Sequence, residues 1–357
     1  MLYIRTDMND KIATGHMMRC LSIADAATKL GKSTTFILAD EQAVEFIRER
    51  GHRTVVLHSQ WDNMDAELDT LQKVIEEFGI TTMLIDSYMV TQKYLSVLSK
   101  WVKTIYLDDL NAFFYPVHAL ICYAVYWKKF CYRQNYRQAE LLLGLSYAPL
   151  RKVFCNCEKK IIKTEAENLL ILSGGTDNFH ILERILQKIE KKKYRSIVVI
   201  CGNYFEEYER LCSQYRSDEQ IHFHKAVKNI EEYMKQADMA VSAGGTTLYE
   251  LCACGTPTVS YSFADNQRDN VREFQEEEII DYAGDVRDTD IFENINQILN
   301  LYFHNPALRE ERSKRMQKLV DGKGAERIAE VLIGMIEESK TERRKRFYGD
   351  TIWKTVY

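Results

Sequence analysis

The ten residues from Val241 to Glu250 read Val-Ser-Ala-Gly-Gly-Thr-Thr-Leu-Tyr-Glu, and Cys-Gly-Thr-Pro follows at 254–257. The apolar residues 239–241 predict a short buried strand, the Ser-Ala-Gly-Gly-Thr run predicts a turn, and residues 246–253 predict a helix that the later glycine and proline end. A glycine turn that opens a helix leaves backbone N–H groups facing outward, and the helix dipole adds attraction for an anion. The stretch therefore predicts either a phosphate site or an ordinary strand–turn–helix joint of an α/β protein.

Glu250 lies four residues into this predicted helix. An ionised carboxylate only accepts hydrogen bonds, so it suits the hydroxyls of a ribose better than a phosphate. If the turn binds a nucleotide, Glu250 is the candidate for its sugar.

The whole chain has 357 residues, a formal net charge of −4 and nine scattered cysteines. The length allows two domains of ordinary size, and the charge gives no reason to expect general affinity for nucleic acid. The cysteines lack metal-finger spacing and suit a reducing compartment. The chain enters a strand at once, and no apolar run is long enough to cross a bilayer, so we expect a cytoplasmic protein.

Strands alternate with helices in both halves, which predicts two parallel sheets covered by helices. A lysine-rich stretch near 155–165 marks the boundary, so we expect Rossmann-like domains at 1–154 and 155–339 and a basic, then aromatic, tail at 340–357. Ligands of such sheets bind beyond the carboxyl ends of the strands, and a cleft is expected where two such ends face each other. The tail suits a docking helix, a membrane-surface contact or a solvated extension.

His16 is the candidate general base. It follows a strand and a polar loop and lies in the first turn of a predicted helix. The helix N-terminus disfavours the protonated imidazole, which keeps the ring able to accept a proton. A structural histidine at a helix start is the alternative.

Four aspartates, Asp7, Asp86, Asp108 and Asp109, lie at predicted strand ends of the first domain. They suit orientation of His16, binding of a sugar hydroxyl or assistance to water, and equally suit helix caps and turns. In the second half, the run from Gly174 to Asp177 is another glycine turn, and the Asn266-Gln267 pair opens a helix. The Walker lysine pattern and the G-x-G-x-x-G fingerprint are absent, which counts against a P-loop enzyme and a common dinucleotide dehydrogenase.

These residues resemble a known family, the UDP-2,4-diacetamido-2,4,6-trideoxy-β-L-altropyranose hydrolases of pseudaminic acid biosynthesis, together with the related spore-coat polysaccharide proteins. The second half is also similar to the peptidoglycan GlcNAc transferase. The motifs that carry the resemblance are Arg5-Thr6-Asp7, Gly15-His16-Met17-Met18-Arg19-Cys20-Leu21, Asp86-Ser87-Tyr88, Leu107-Asp108-Asp109-Leu110, Leu143 to Tyr147 with Leu150, Arg151 and Phe154, Ser173 to Asp177, Ser242 to Glu250, Gly255-x-Pro257 and Asn266-Gln267.

The resemblance implies a GT-B-like fold in which the C-terminal domain binds UDP and the N-terminal domain meets the sugar. It implies hydrolysis with inversion: water attacks the anomeric carbon, UDP leaves, and His16 positions or deprotonates the water. No metal or cofactor is implied. The sugar side is assigned to Asp7, Gly15, Arg19, Asp86 and Tyr88. The nucleotide side is assigned to Gly174, Gly175, Asp177, Ser242, Ala243, Gly244, Gly245, Thr246, Thr247, Glu250, Asn266 and Gln267.

The sequence departs from the family pattern beside His16. Ala13 stands where glycine is usual and Asn9 where serine is common, which bears on the identity of the sugar. Two alternatives to the hydrolase stay open: a glycosyltransferase of the same fold that uses a UDP-sugar donor, and a non-catalytic protein that binds a nucleotide sugar. The expected partner is the small-molecule UDP-sugar, and the sequence does not indicate an oligomeric state.

Overall fold

The computed structural model describes residues 1–9, 11–12, 14–172, 179–202, 205–288 and 290–348. The chain divides into two compact units. The first comprises Met1–Arg151 and Gly324–Tyr357, and the second comprises Lys152–Lys323. Each unit is a parallel sheet with helices, which confirms the predicted pair of Rossmann-like α/β domains.

Among its described residues, the first unit contains seven strands and six α-helices. The strands are β1 (Leu2–Thr6), β2 (Thr34–Leu38), β3 (Arg53–Val56), β4 (Thr82–Asp86), β5 (Lys103–Leu107), β6 (Ala119–Cys122) and β7 (Glu140–Leu143). The helices before the crossing into the second unit are α1 (Gly15–Lys29), α2 (Val44–Arg48), α3 (Leu68–Phe78), α4 (Gln92–Trp101) and α5 (Tyr132–Asn135). The strand order is β3-β2-β1-β4-β5-β6-β7.

Local sequence explains where α3 ends and where α4 begins. Helix α3 ends at Gly79, which adopts a left-handed conformation (φ +60°) that glycine reaches without steric cost. Helix α4 begins after Thr91, whose side chain accepts a hydrogen bond from the amide of Tyr94. Strands β1, β2 and β4 are buried along their whole length, as expected for a parallel sheet covered on both faces.

The described part of the second unit contains six strands and seven α-helices. The strands are β8 (Asn168–Leu172), β9 (Ser196–Cys201), β10 (Ile221–Lys225), β11 (Met239–Ala243), β12 (Thr258–Ser262) and β13 (Asp281–Asp285). The helices are α6 (Ile181–Lys188), α7 (Tyr208–Gln214), α8 (Ile230–Gln236), α9 (Thr247–Cys254), α10 (Asp265–Glu276), α11 (Ile291–His304) and α12 (Pro306–Leu319). The strand order is β10-β9-β8-β11-β12-β13, so β11 lies in the middle of the sheet.

The last helix, α13 (Gly324–Tyr348), corrects the predicted domain assignment. The sequence prediction ended the first domain at 154 and assigned residues 155–339 to the second domain, whereas the structure ends the first segment at Arg151 and packs α13 against α1 of the first unit. Its apolar side chains, including Ile328 and Leu332, are buried there. An apolar helix face does not reveal which sheet it covers, because that depends on contacts distant in sequence.

Candidate functional site

Adjacent strands bring His16 to the carboxyl edge of the first sheet. Strands β1 and β4 pair in parallel, with Thr6 opposite Asp86 at their ends. The chain leaves β1 through a loop and enters α1, whose second residue is His16. Asn9 braces this loop, because its side-chain oxygen accepts hydrogen bonds from the amides two and three residues further along, both at 3.0 Å.

His16 and Asp86 form a buried hydrogen-bonded pair. His16 Nδ1 lies 2.6 Å from Asp86 Oδ1, and the two side chains are 9% and 0% exposed. Arg19, three residues along the same face of α1, donates from Nε to Asp86 Oδ2 at 2.6 Å and from Nη2 to Asp86 Oδ1 at 2.5 Å. An ionised carboxylate only accepts, so Nδ1 carries the ring proton and donates it to Asp86. The neutral ring then has its lone pair on Nε2.

Asp86 is held in its ionised form. Burial alone would raise its pKa, but the charge of Arg19 and the hydrogen bonds from Arg19 and His16 hold the pKa of this carboxyl below its usual range. Cys20 adds a further donor, with its thiol 3.3 Å from Asp86 Oδ2. Asp86 therefore orients His16 and stabilises the imidazolium that forms when Nε2 takes a proton.

Two tyrosines and a second aspartate complete the wall of this site. The rings of His16 and Tyr88 meet edge to face at 4.5 Å. Asp109 Oδ2 accepts hydrogen bonds from Tyr88 at 3.0 Å and from Arg19 Nη1 at 3.1 Å. Arg19 Nη1 also donates to the Tyr123 hydroxyl at 3.0 Å. Burial and the charge of Asp109 raise the pKa of Tyr88, so its phenol stays protonated and donates.

We call His16, Arg19, Asp86 and Asp109, with Tyr88 and Tyr123, the Arg19 network. It brings together four of the predicted residues: His16, Arg19, Asp86 and Tyr88. No described residue forms a hydrogen bond with His16 Nε2. A buried histidine with an ionised partner on one nitrogen and a lone pair on the other is equipped to act as a general base.

The predicted residues Asp7 and Gly15 have other surroundings. Asp7 Oδ2 accepts from Arg5 at 2.5 Å and Oδ1 accepts from the amide of Ala39 at 2.7 Å. Arg5 also donates to both oxygens of Glu67, at 2.8 and 2.7 Å. We call Arg5, Asp7 and Glu67 the Arg5 network. Gly15 is the first residue of α1, and an added Cβ there would meet no atom within 4 Å.

In the second unit, the stretch from Val241 to Glu250 forms the predicted strand, turn and helix at the end of β11. A Cβ on Gly244 would lie 2.3 Å from Val271 Cγ1, so only glycine fits there. Asn270 donates to the Gly244 carbonyl at 3.0 Å and accepts from the Tyr249 hydroxyl at 2.8 Å. These contacts fix the turn against α10.

The turn presents backbone amides at the start of α9. Leu248 N and Tyr249 N bond to carbonyls within the turn. The amides of Gly245, Thr246 and Thr247 have no backbone partner in the described part of the chain. Amides at a helix N-terminus form an anion site, so this geometry suits phosphate.

The other predicted nucleotide residues fall into two groups. Ser242 and Ala243 are buried at the end of β11, and the Ser242 hydroxyl donates to the Ala243 carbonyl at 3.1 Å. Gln267 accepts from the amide of Phe263 at 3.1 Å and so braces the start of α10. Gly174, Gly175 and Asp177 lie outside the described residues, as does the side chain of Asn266.

Sequence reasoning missed two contributors and did not single out a third. Tyr123 and Asn270 were not predicted, and Asp109 was not separated from its neighbour Asp108. Tyr123 directly follows β6, so its place beyond a strand end was a usable signal. No sequence signal distinguishes Asp108 from Asp109, since the two are adjacent.

No group of three or more His, Cys, Asp or Glu side chains in the described part of the chain is arranged to hold a metal ion. No helix there combines the length and apolar character that crossing a bilayer requires.

Comparison of sequences finds similarity to one family model and to several curated proteins. The family model described as "Glycosyl transferases group 1" matches residues 160–319. Protein MJ1062 of Methanocaldococcus jannaschii, described as uncharacterized, is 24% identical over 72% of this chain and 54% of its own length. The spore coat polysaccharide biosynthesis protein SpsG of Bacillus subtilis is 25% identical over 51% of this chain and 54% of its length.

A third relative is the Helicobacter pylori UDP-N-acetylglucosamine--N-acetylmuramyl-(pentapeptide) pyrophosphoryl-undecaprenol N-acetylglucosamine transferase, which is 34% identical over 38% of this chain and 40% of its length. The chain thus spans about half the length of the curated relatives it matches. The Bacillus subtilis and Helicobacter pylori relatives confirm the predicted similarity to spore-coat polysaccharide proteins and to the peptidoglycan GlcNAc transferase.

Comparison of structures establishes the fold. Acinetobacter baumannii MurG has a TM-score of 0.67 and 11% identity over 94% of this chain and 100% of its own. Anabaena Alr3699/HepE, solved in complex with UDP, has a TM-score of 0.60 and 12% identity over the same shares. The chain therefore has two Rossmann-like α/β units with the GT-B fold of glycosyltransferases, as predicted.

Proposed function

We propose that this chain is an enzyme that cleaves a nucleotide sugar between its anomeric carbon and its diphosphate, with His16 as the general base. The observation that carries the proposal is the His16–Asp86 pair, which leaves a lone pair on Nε2 of a buried ring. A sugar donor with a diphosphate leaving group requires activation of an oxygen nucleophile, and such a pair supplies it.

The proposed reaction is a single displacement. Nε2 of His16 removes the proton of an incoming hydroxyl, whose oxygen bonds to the anomeric carbon as the bond from that carbon to the diphosphate oxygen breaks. The electron pair of that bond leaves with the nucleoside diphosphate, and the configuration inverts. The imidazolium that forms is stabilised by Asp86.

The second unit is proposed to bind the nucleoside diphosphate at the start of α9. Amides at Gly245 to Thr247 suit the phosphates, and they stabilise the charge that develops as the diphosphate leaves. UDP is the proposed nucleotide, because transferase relatives are named for UDP-N-acetylglucosamine and a protein of the same fold was solved with UDP.

Transfer to an acceptor hydroxyl is our first candidate reaction. The glycosyltransferase family model covers 160–319, and transferase relatives match this chain at up to 34% identity. Hydrolysis, with water as the nucleophile, is the second candidate. It is favoured by the Gly15–Leu21 block around His16, which resembles the hydrolases of pseudaminic acid biosynthesis. The His16–Asp86 pair serves either nucleophile.

The first experiment measures UDP release from a panel of UDP-sugars that includes UDP-N-acetylglucosamine and the diacetamido-trideoxy-altrose derivative. Each is incubated alone and with sugar or lipid acceptors. Release only with an acceptor supports transfer, whereas equal release in water supports hydrolysis. If the protein binds UDP but releases it from none of the UDP-sugars, the result contradicts catalysis and supports a nucleotide-sugar-binding protein.

His16→Ala is the matched test of the base, and His52→Ala is its control. His52 also pairs with an aspartate in the first unit, with Nε2 2.9 Å from Asp25 Oδ1; its ring is buried, whereas Asp25 is partly exposed. We expect release to fall about 10²–10⁴-fold in His16→Ala while UDP binding persists. His52→Ala is expected to retain turnover. Equal losses in both variants would show that His16 acts only through stability.

The nucleotide site has its own test. Thr246 is exposed at the start of α9. Thr246→Glu adds a negative charge there, which favours the helix but repels a diphosphate. We expect UDP affinity to fall at least about tenfold. Gln92→Glu, which adds the same charge at the exposed start of α4, is the control and is expected to bind UDP normally.

A further inference from the structure

Asp109 has one carboxylate oxygen without a partner. Oδ1 is buried and forms no hydrogen bond with any described residue. Its other oxygen, Oδ2, is occupied by Arg19 and Tyr88, and its backbone carbonyl accepts from Tyr126 at 2.9 Å. The carboxylate is therefore fixed in place while one of its oxygens stays unsatisfied.

The neighbouring carboxylate shows that this is not a property of the loop after β5. Asp108 Oδ1 accepts from the amide of Leu110 at 3.0 Å and from Tyr115 at 2.9 Å, and its Oδ2 accepts from Tyr132. Both of its oxygens are satisfied within the protein. Asp108 therefore closes the loop after β5, whereas Asp109 presents a hydrogen-bond acceptor.

Asp109 belongs to the wall around His16. Arg19, which holds Asp109, places Nη2 3.0 Å from His16 Nδ1. Tyr88, which also holds Asp109, packs its ring against His16. A buried acceptor without a partner is destabilising, so a group that donates to Oδ1 on binding gains free energy at this position.

The charges of the network indicate which group that is. Two carboxylates of the network, Asp86 and Asp109, lie beside one guanidinium, that of Arg19, so the carboxylates outnumber the permanent cation. A phosphate is disfavoured beside Asp109, whereas a hydroxyl or amide N–H is favoured. Negative charge also suits the positive charge that develops at an anomeric carbon during displacement.

We infer that Asp109 Oδ1 accepts a hydrogen bond from the glycosyl part of the substrate, from a hydroxyl or the N–H of an acylamino group, and so determines how the sugar lies against His16. The inference rests on the proposed function and adds a specificity-determining residue to it. It assigns recognition of donor groups of the sugar to Asp109 of the first unit.

Asp109→Asn tests the inference without changing the size of the side chain. Arg19 and Tyr88 both donate, so the amide oxygen must face them and the NH₂ group takes the place of Oδ1. The acceptor thereby becomes a donor. Asp108→Asn is the control, and its expected effect is reduced stability.

The measurement is calorimetric binding of UDP and of each UDP-sugar of the panel to wild type and both variants. We expect at least one UDP-sugar to bind wild type more tightly than UDP does. Asp109→Asn is expected to lose about tenfold or more of that added affinity and to bind UDP unchanged. Asp108→Asn, compared at a temperature where it is folded, is expected to keep the added affinity.

The outcomes separate this inference from the proposed function. Equal added affinity in wild type and Asp109→Asn, or none for any UDP-sugar in wild type, would overturn the inference and indicate that Oδ1 holds only water. UDP release by wild type would still support the proposed function in that case. Added affinity that depends on Asp109, without release of UDP, would support the inference and contradict catalysis.

Discussion

The first unit holds two buried arginine–carboxylate networks at the ends of neighbouring strands, and they differ in what they leave open. In the Arg5 network, every carboxylate oxygen has a partner: Asp7 bonds to Arg5 and a backbone amide, and Glu67 bonds to Arg5, Tyr94 and Ser59. In the Arg19 network, Asp109 Oδ1 has none among the described residues.

The difference separates structural from chemical use of the same side chains. A closed network satisfies its own charges and stabilises only one arrangement of the chain. An open network, here the Arg19 network, also holds its charged groups in place. It leaves the lone pair of His16 Nε2 and the acceptor Asp109 Oδ1 for another molecule. Burial and ion pairing alone therefore do not mark a site, whereas an unsatisfied atom within such a network does.

The largest effect is expected for Asp86→Asn. Both oxygens of Asp86 accept from donors, so one donor must face the new NH₂ group. An NH₂ group facing His16 forces Nδ1 to accept and moves the ring proton to Nε2, which abolishes the base. We expect UDP release to fall by about 10²–10⁴-fold. Asp25→Asn, which alters the His52 pair, is the control. A small loss in Asp86→Asn would show that orientation by Asp86 is dispensable.

The next effect is on stability and comes from the Arg5 network. Arg5→Met leaves Asp7 and Glu67 buried without their cation, and breaking such a pair costs about 3–5 kcal/mol of unfolding free energy. Because this network is closed, turnover per folded molecule is expected to stay within a few-fold of wild type. Denaturant unfolding and active-fraction kinetics measure the two separately. A lowered kcat in the folded fraction would make the Arg5 network part of the site.

Asp86 makes stability depend on pH. The folded-state pKa of Asp86 lies below the value of about 3.9 for an exposed aspartate, so its pairing stabilises the protein above about pH 4 and is lost as the pH falls toward the folded pKa. The difference in unfolding free energy between wild type and Asp86→Asn is therefore expected to be largest, about 1–3 kcal/mol, at neutral pH. It should shrink in acid. A difference that stays constant from pH 7 to pH 3 would contradict this assignment.

The smallest effect is expected for Cys20→Ala. The Cys20 thiol is a weak donor to an oxygen that Arg19 already holds, so its loss should cost about 0.5–1.5 kcal/mol of stability and reduce UDP release only a few-fold. Cys122→Ala, another buried thiol of this unit, is the control for loss of volume. A loss of turnover as large as that of Asp86→Asn would give Cys20 a direct role.

The sequence predicted the fold, and it placed His16 and four strand-end aspartates at the same edge, because parallel strands have their carboxyl ends on one edge. It did not single out Asp86 as the aspartate that pairs with His16. The placement of strand ends does not reveal which carboxylate keeps an oxygen without a hydrogen-bond partner. Asp7 is closed by Glu67 and Ala39, which lie far from it in sequence, and no local pattern announces those contacts.

Two misses in the fold have similar causes. Strand β13 was not predicted because Asp-Tyr-Ala-Gly-Asp is short and polar, and it forms at the sheet edge beside β12. Helix α13 was recognised as a helix but assigned to the wrong unit. The roles of the predicted nucleotide residues stay predictions.

The return of α13 to the first unit has a consequence for synthesis of the protein. The chain leaves that unit after Arg151 and re-enters it at Gly324, beside the carbonyl of Ala148. A ribosome must therefore make the whole second unit before the helix that covers α1 exists, a delay of roughly ten to thirty seconds at about 5–20 residues per second. During that interval the nascent first unit exposes the apolar surface that α13 later buries. That surface is then open to association with other chains.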